Sequence, residues 1–307
     1  MLKFTGQKLQ LLDDYDMLLM FENGIRGGLV QASKRYARAN NDKTPDYDET
    51  KDKSWIIYQD CNNNLYGWAM SQCMPYGGFK NLQQAIKNGL IVEKVHRVIH
   101  FNQSDWLAKY IKLNTEMRKR ATNAFEKDFF KLMNNAVFGK TMQSKRKEMK
   151  MELVSCEWRL QKLINKSTFK YCTNYNENLN AVALENKIIK FDKPIYIGFA
   201  VLDISKTMMY DYHYNVMQRH YGDKIKLMYT DTDSLIYYIE TQDFYVDLAA
   251  NSNLLDRMDT ANLPRDHPCY IADRKKEPGL FSDEYLFERG TGLPPKQRQK
   301  HGHSKSR

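Results

Sequence analysis

Paired cysteines are missing from this sequence. Its five cysteines (Cys61, Cys73, Cys156, Cys172, Cys269) are scattered and form no Cys-x-x-Cys pair. That excludes a zinc ribbon or a disulfide framework and points to a reducing compartment. Long apolar runs are missing too, so no membrane-spanning helix is expected. The opening Met1-Leu-Lys-Phe-Thr-Gly6 lacks the apolar core of a secretion signal. An intracellular protein of nucleus or cytoplasm, with no membrane association, is the expectation. No internal repeat is visible. Acid is in short supply: 37 Asp and Glu stand against 47 Lys and Arg, a formal net charge of +10. Such an excess suits a polyanionic partner, and it also serves plain solubility. With 42% hydrophobic and 27% charged residues over 307 positions, the chain is globular. It is long enough for one large core or two modest ones.

What the sequence does contain is organised around Lys226-Leu-Met-Tyr229-Thr-Asp231-Thr-Asp233-Ser234-Leu-Ile-Tyr-Tyr238. Two runs rich in apolar and aromatic residues flank a small polar turn, the pattern of a β-hairpin with acids at its tip. On extended backbone Asp231 and Asp233, two apart, face the same way. Carboxylates so crowded repel each other unless a cation sits between them. A hard divalent ion with oxygen ligands meets that need, and Mg²⁺ commonly shares its coordination with substrate phosphates. The plainer alternative is an exposed acidic turn that holds nothing.

Other stretches carry compatible chemistry. Trp55-Ile-Ile-Tyr-Gln-Asp60 reads as a strand ending in an acid, followed by Cys61-Asn-Asn-Asn64-Leu65-Tyr66. The alternative there is a turn-forming Asp-Asn cluster. The segment 105–138 reads as one helix, capped by Ser104 or Asp105. At ~100° per residue Lys119, Lys127 and Lys131 share one of its faces. It ends in Lys131-Leu-Met-Asn-Asn135-Ala136-Val-Phe138-Gly139. Near the start, Gly24-Ile-Arg26-Gly27-Gly28 precedes a basic cluster with Lys34, Arg35 and Tyr36. Paired glycines let backbone approach a ligand, and the cations suit a nucleic-acid backbone. A solvated basic face reads equally well there. Residues 1–24 are expected to form a short strand and then a helix. A second long helix should run from about Phe199 to Tyr221 and stop at Gly222, its Met208, Met209, Tyr212, Tyr214 and Met217 packing in the core. Arg274-Lys275-Lys276 marks a basic turn.

Taken together, these stretches resemble the motifs of family B DNA polymerases of the protein-primed kind, found in viruses and in self-synthesising DNA transposons of the Maverick/Polinton type. Tyr229-Thr-Asp-Thr-Asp-Ser234 is similar to motif C, Asp60 with Leu65-Tyr66 to motif A, and Lys131 to Gly139 to motif B. In motif A one residue more than the pattern separates Asp60 from Leu65. A β-bulge would absorb it; otherwise Tyr66 moves off the nucleotide sugar. The resemblance implies an α+β fold: a palm of antiparallel sheet with helices on one face, plus a helical fingers module. The implied layout is an N-terminal template-contact segment at 1–53, palm at 54–80 and 193–288, fingers at 81–140, a β-rich insertion at 141–192 and a disordered basic tail at 289–307.

The implied reaction is template-directed transfer of a deoxynucleotide to a primer 3′-hydroxyl. Asp60, Asp231 and Asp233 would be catalytic, and Asp60 and Asp233 would hold two Mg²⁺, for which Mn²⁺ can substitute. Tyr66, Lys119, Lys127, Lys131, Asn135 and Phe138 would bind the dNTP. Arg26, Gly27, Gly28, Lys34, Arg35, Tyr229, Lys275 and Lys276 would contact DNA. Partners would be template-primer, dNTPs and a terminal priming protein. The segment after Lys80 is shorter than in the family, and neither its Lys-x-Tyr element nor its thumb is visible, so a truncated chain is expected. An inactive remnant that only binds nucleic acid is the alternative. A reverse transcriptase fits less well, because its usual Tyr-x-Asp-Asp differs from Tyr229-Thr-Asp-Thr-Asp233.

Overall fold

In the computed structural model, residues 1–12, 14–61, 64–74 and 102–284 are described. The expected helix at 81–89, the strand at 95–101 and the tail at 289–307 lie outside them. In chain order the elements begin with α1 (Leu2–Thr5), α2 (Tyr15–Gly24), β1 (Val30–Ala32), β2 (Ser54–Cys61) and α3 (Leu65–Ser71). Then come α4 (Ala108–Arg120), α5 (Ala124–Thr141), β3 (Met149–Val154), α6 (Glu157–Ile164), β4 (Phe169–Asn176) and β5 (Leu179–Glu185). The last group is α7 (Ile195–Tyr210), β6 (Ile225–Asp231), β7 (Ser234–Glu240), α8 (Phe244–Ala250), α9 (Ser252–Leu255) and β8 (Phe281–Asp283). The class is α+β.

Period-two burial builds the main sheet. Along β2, Trp55, Ile57, Gln59 and Cys61 are buried while Ile56, Tyr58 and Asp60 are half-buried. The strand therefore has a core face and a more open face, and Asp60 lies on the open one. Along β7, Leu235, Tyr237 and Ile239 turn inward in the same way. The sheet has the order β1-β6-β7-β2-β8, with every neighbouring pair antiparallel.

Its core face is covered by the end of a long helix. α7 continues as a π-helical stretch, Asp211–Gln218, and a last turn, Arg219–Tyr221. Gly222, at φ 59, stops it, as expected. Met208, Met209, Tyr212 and Met217 pack from this helix against Trp55, Ile57, Leu235, Tyr237 and Ile239. Tyr214 does not join them and is exposed, because it points away from the sheet side of the helix. Phe281 stacks on Tyr212 at 3.7 Å between ring centroids. The Tyr212 hydroxyl donates to Gln59 Oε1 at 2.8 Å, so a buried polar pair is satisfied directly beneath β2.

A second cluster joins α3, α4, α5 and the front of α7 through Met70, Leu107, Ile111, Val137, Ile197 and Val201. A third is a separate small sheet, β3-β5-β4, backed by α6 through Val154, Leu163, Val182 and Leu184. The strands expected around 151–154 and 181–184 lie within β3 and β5.

Two expectations are corrected. The chain opens with one helical turn closed by Gly6 at φ 70, not with a strand. The helix expected over 105–138 is two helices, α4 and α5, packed on each other. The break falls at Ala121-Thr122-Asn123, where Asn123 leaves the helical region and its side chain accepts from the Glu126 amide at 2.8 Å. An Asn that caps a new helix must end the old one, since capping backbone is extended. Neither Ser104 nor Asp105 caps α4, whose N-cap position is Leu107 with no side-chain bond. The single lysine face is lost with the split.

Phe281 is fully buried and ties β8 to the helix under the sheet. Phe281→Ala should lower stability by about 3–5 kcal/mol. A urea unfolding curve followed by circular dichroism should show the midpoint fall with its slope unchanged.

Candidate active site

The hairpin β6–β7 turns through Thr232 and Asp233, and Asp231 pairs with Ser234 across it. Thr232 has φ 56. The period-two argument therefore stops at Asp231: Thr232 is left-handed, and Asp233 follows it in the turn and not on the strand. The turn is tight, with the Asp233 amide donating to the Asp231 carbonyl at 2.6 Å. The Asp231 carboxylate accepts from the Thr232 hydroxyl at 3.3 Å and from the Tyr229 hydroxyl at 3.5 Å.

Pairing of β2 with β7 brings Asp60 to this tip. Asp60 lies opposite Ser234, and the next amide, Cys61 N–H, donates to the Asp233 carbonyl at 2.7 Å. The two acids act on each other strongly. Burial first, then the charges of Asp233 and Glu284, push the Asp60 carboxyl up to about 7, while Lys131 opposes the rise. The two causes are distinct: burial disfavours the charged form by itself, and the neighbouring carboxylates repel it further. Tyr58, on the same face of β2, has its phenol raised by burial and by Asp60, and it hydrogen-bonds Ser234.

Tyr66 lies in the first turn of α3, which Asn64 caps at φ 92 by accepting from the Gly67 amide at 2.9 Å. The β2–β7 register is unbroken from Ser54 to Asp60; the added Asn comes after it, in a stretch whose residues 62 and 63 lie outside the described residues. Burial and the charge of Asp233 raise the Tyr66 phenol. Its ring lies 4.5 Å from that of Phe138, which α5 brings across. Asp60, Asp233, Tyr66, Lys131 and Phe138 therefore converge from three elements and one turn.

Asn135 and its neighbour divide their work. Asn134 is buried and its Oδ1 accepts from Asn114 Nδ2 at 2.9 Å, which pins α5 to α4. The Oδ1 of Asn135 is buried with no hydrogen-bond partner among the described residues. Buried polar atoms are almost always paired, so this one is unusual among the described residues.

A cationic group stands next to this site. Lys276 is held below the usual ammonium range by burial first and then by Arg118, Lys127 and Lys275. Lys127 and Lys131 are one turn apart on α5, so they share a face. Lys119, on α4, instead pairs with Glu277 at 2.8 Å.

The N-terminal candidates lie at the other side of the tip. β1 pairs with β6, placing Val30 opposite Asp231. Gly28 touches Thr232 so closely that a Cβ there would come within 2.5 Å of Oγ1. Space around Gly27 is open. Arg26 does not reach out; its guanidinium donates to the carbonyls of Asn23 at 2.6 Å and Ile25 at 3.0 Å. Lys34 lies 5.3 Å from the centroid of the Tyr238 ring, and Arg35 is exposed.

Three participants were not assigned from the sequence. Glu284 follows β8, whose Ser282 lies opposite Asp60 and donates to Glu284 Oε1 at 2.8 Å. Arg118 enters the cationic group, and Tyr58 the acidic one. Among the described residues no three His, Cys, Asp or Glu side chains form a ready-made metal cage, and no helix is long and apolar enough to cross a membrane.

The raised Asp60 carboxyl sets a pH dependence. Its ordinary value is 3.8 and its folded value about 7. Between the two, the folded chain keeps a proton that the unfolded chain has lost, so stability falls as pH rises through that window and levels off above it. Melting temperatures of metal-free protein should decline from pH 5 to pH 7.5, and Asp60→Asn should flatten the decline.

No protein-family model matches this chain, and a search of curated proteins finds no match.

Proposed function

We propose that this chain is a nucleotidyltransferase of the DNA polymerase type. On this reading it adds deoxynucleotides to a primer 3′-hydroxyl under template direction. The five-stranded sheet serves as palm, and the α4–α5 hairpin as fingers. The observation that carries the reading is that strand pairing brings Asp60 to the hairpin turn that holds Asp233, where the charges of Asp233 and Lys131 both act on Asp60.

The donor set fits magnesium. Asp60 and Asp233 offer hard carboxylate oxygens, and their mutual repulsion is what a divalent cation relieves. Mg²⁺ sites in phosphoryl transfer are completed by substrate phosphates and water, so two carboxylates from the protein would serve. When bound, the metal ions lower the nucleophile's pKa and neutralise charge at the leaving oxygen.

The chain's own residues supply the rest. Lys131, whose charge acts on Asp60, would set an ammonium against the phosphate of a nucleotide that reaches Asp60. Lys127, one turn back on the same face, leads to Lys275, Lys276 and Arg118, so a triphosphate tail laid along α5 meets cation after cation. Tyr66 and Phe138 present a close, tilted pair of rings for sugar and base, and Asn135 would offer its oxygen to a donor on either. Tyr229, bonded to Asp231, stands beside the tip where a primer end belongs. β1 and the basic stretch after it, Lys34 and Arg35, suit the template backbone.

Primer extension with Mg²⁺ and dNTPs tests this. The purified chain should extend a primed template, and Asp233→Ala should reduce extension to background. Lys131→Ala should lower kcat/KM for dNTP by about 100-fold, since it removes one positioned charge. Retained DNA binding with no extension by the unaltered chain would instead favour the remnant.

A further inference from the structure

A β-branched residue at positive φ needs a reason, and Thr232 stands at φ 56 between the two acids of the tip. Inside the hairpin the Thr232 hydroxyl donates to the Asp231 carboxylate at 3.3 Å and the Asp233 amide to the Asp231 carbonyl at 2.6 Å, yet Gly would make this turn at lower cost. Further support comes from outside. The Thr232 amide donates to the Leu29 carbonyl at 3.0 Å. Beyond that bond the segment 26–34 runs along β6 as a strap. Its far end is tied where the amides of Ser33 and Lys34 donate to the Met228 carbonyl at 2.8 and 3.1 Å. Its near end is tied where Lys206 Nζ donates to the Arg26 carbonyl at 2.8 Å. Between those ties the strap passes over Thr232 at Gly28. A Cβ there would meet Thr232 Oγ1 at 2.5 Å, Cγ2 at 2.6 Å and Cβ at 2.7 Å.

The last distance decides the matter. Rotation about χ1 could move Oγ1 and Cγ2 aside, but it leaves Cβ where it is. Relief would require either the strap to lift or the Thr232 backbone to turn. Lifting the strap breaks the Leu29–Thr232 bond, and turning Thr232 swings Asp231 and Asp233 on either side of it.

We propose that Gly28 is a positioning residue for the tip: its missing side chain lets the strap lie on Thr232, and the strap holds Thr232 in the left-handed turn that aims Asp233 toward Asp60. The inference rests on the reading that these carboxylates are the catalytic pair. It assigns Gly28 a steric task inside the protein.

The test is Gly28→Ala with its rescue. In metal-free protein, amide exchange at Thr232 should speed up in Gly28→Ala, while far-UV circular dichroism stays that of the parent. In extension assays kcat should fall by about 10- to 100-fold, the size of loss a displacement near 1 Å produces, with KM for primer-template within about twofold. Adding Thr232→Gly removes the clashing atoms and tolerates positive φ. The double variant should recover most of the kcat lost in Gly28→Ala. Unchanged exchange in Gly28→Ala, or a double variant no better than Gly28→Ala, overturns the proposal. A parent chain that extends no primer sinks the polymerase reading alone, because amide exchange still judges the strap.

Discussion

The pairing of β2 with β7 forces like charges together. Asp60 cannot leave the tip without breaking a ladder that runs without a register shift from Ser54–Glu240 to Asp60–Ser234. One step further on, Cys61 donates to the Asp233 carbonyl. Beneath that ladder Tyr212, Gln59 and Phe281 lock the strand to the helix below. Fully buried side chains therefore lie under the strand that carries Asp60. Burial and the ladder hold in place an arrangement that the carboxylates themselves resist, and the raised Asp60 carboxyl records the resistance.

How much of this was legible in the sequence depended on the range of the interactions. The hairpin at 226–238 and the strand at 55–60 were readable because period-two patterning and a polar turn are local signals. The stop at Gly222 was readable for the same reason. The division of 105–138 was missed because apolar periodicity continues through Ala121-Thr122-Asn123, and a single capping bond from Asn123 outweighs it. Glu284 could not be placed, because its nearness to Asp60 comes from β8 adding to the sheet edge after a long excursion through α8 and α9. Arg118 was hidden by the same helix break that moved Lys119. The bond that pins Asn134 to Asn114 on the neighbouring helix was invisible in the sequence, because it joins two helices that the sequence reads as one.

The corrected helix geometry also sharpens the electrostatics. With one continuous helix, three lysines would have formed a simple stripe. With two, Lys119 is neutralised by Glu277, while Lys127 joins Arg118, Lys275 and Lys276 in a group whose members repel one another. α5 thus carries an axis of charge along one face. Around Lys127 there is an excess of cations, and around Lys131 an excess of acid.

Such an axis narrows the ligands that fit. A lone anion would relieve the cations and leave the acids crowded; a lone divalent ion would do the reverse. On the proposed function, both ends would be relieved at once by a polyanion that spans the turn between Lys127 and Lys131 and carries a divalent cation at its acidic end. A metal-complexed nucleoside triphosphate has that distribution of charge, and its sugar and base would extend toward Tyr66, Phe138 and the Asn135 oxygen that has no partner among the described residues. On that reading the two electrostatic penalties are complementary, and one ligand class would offset them together.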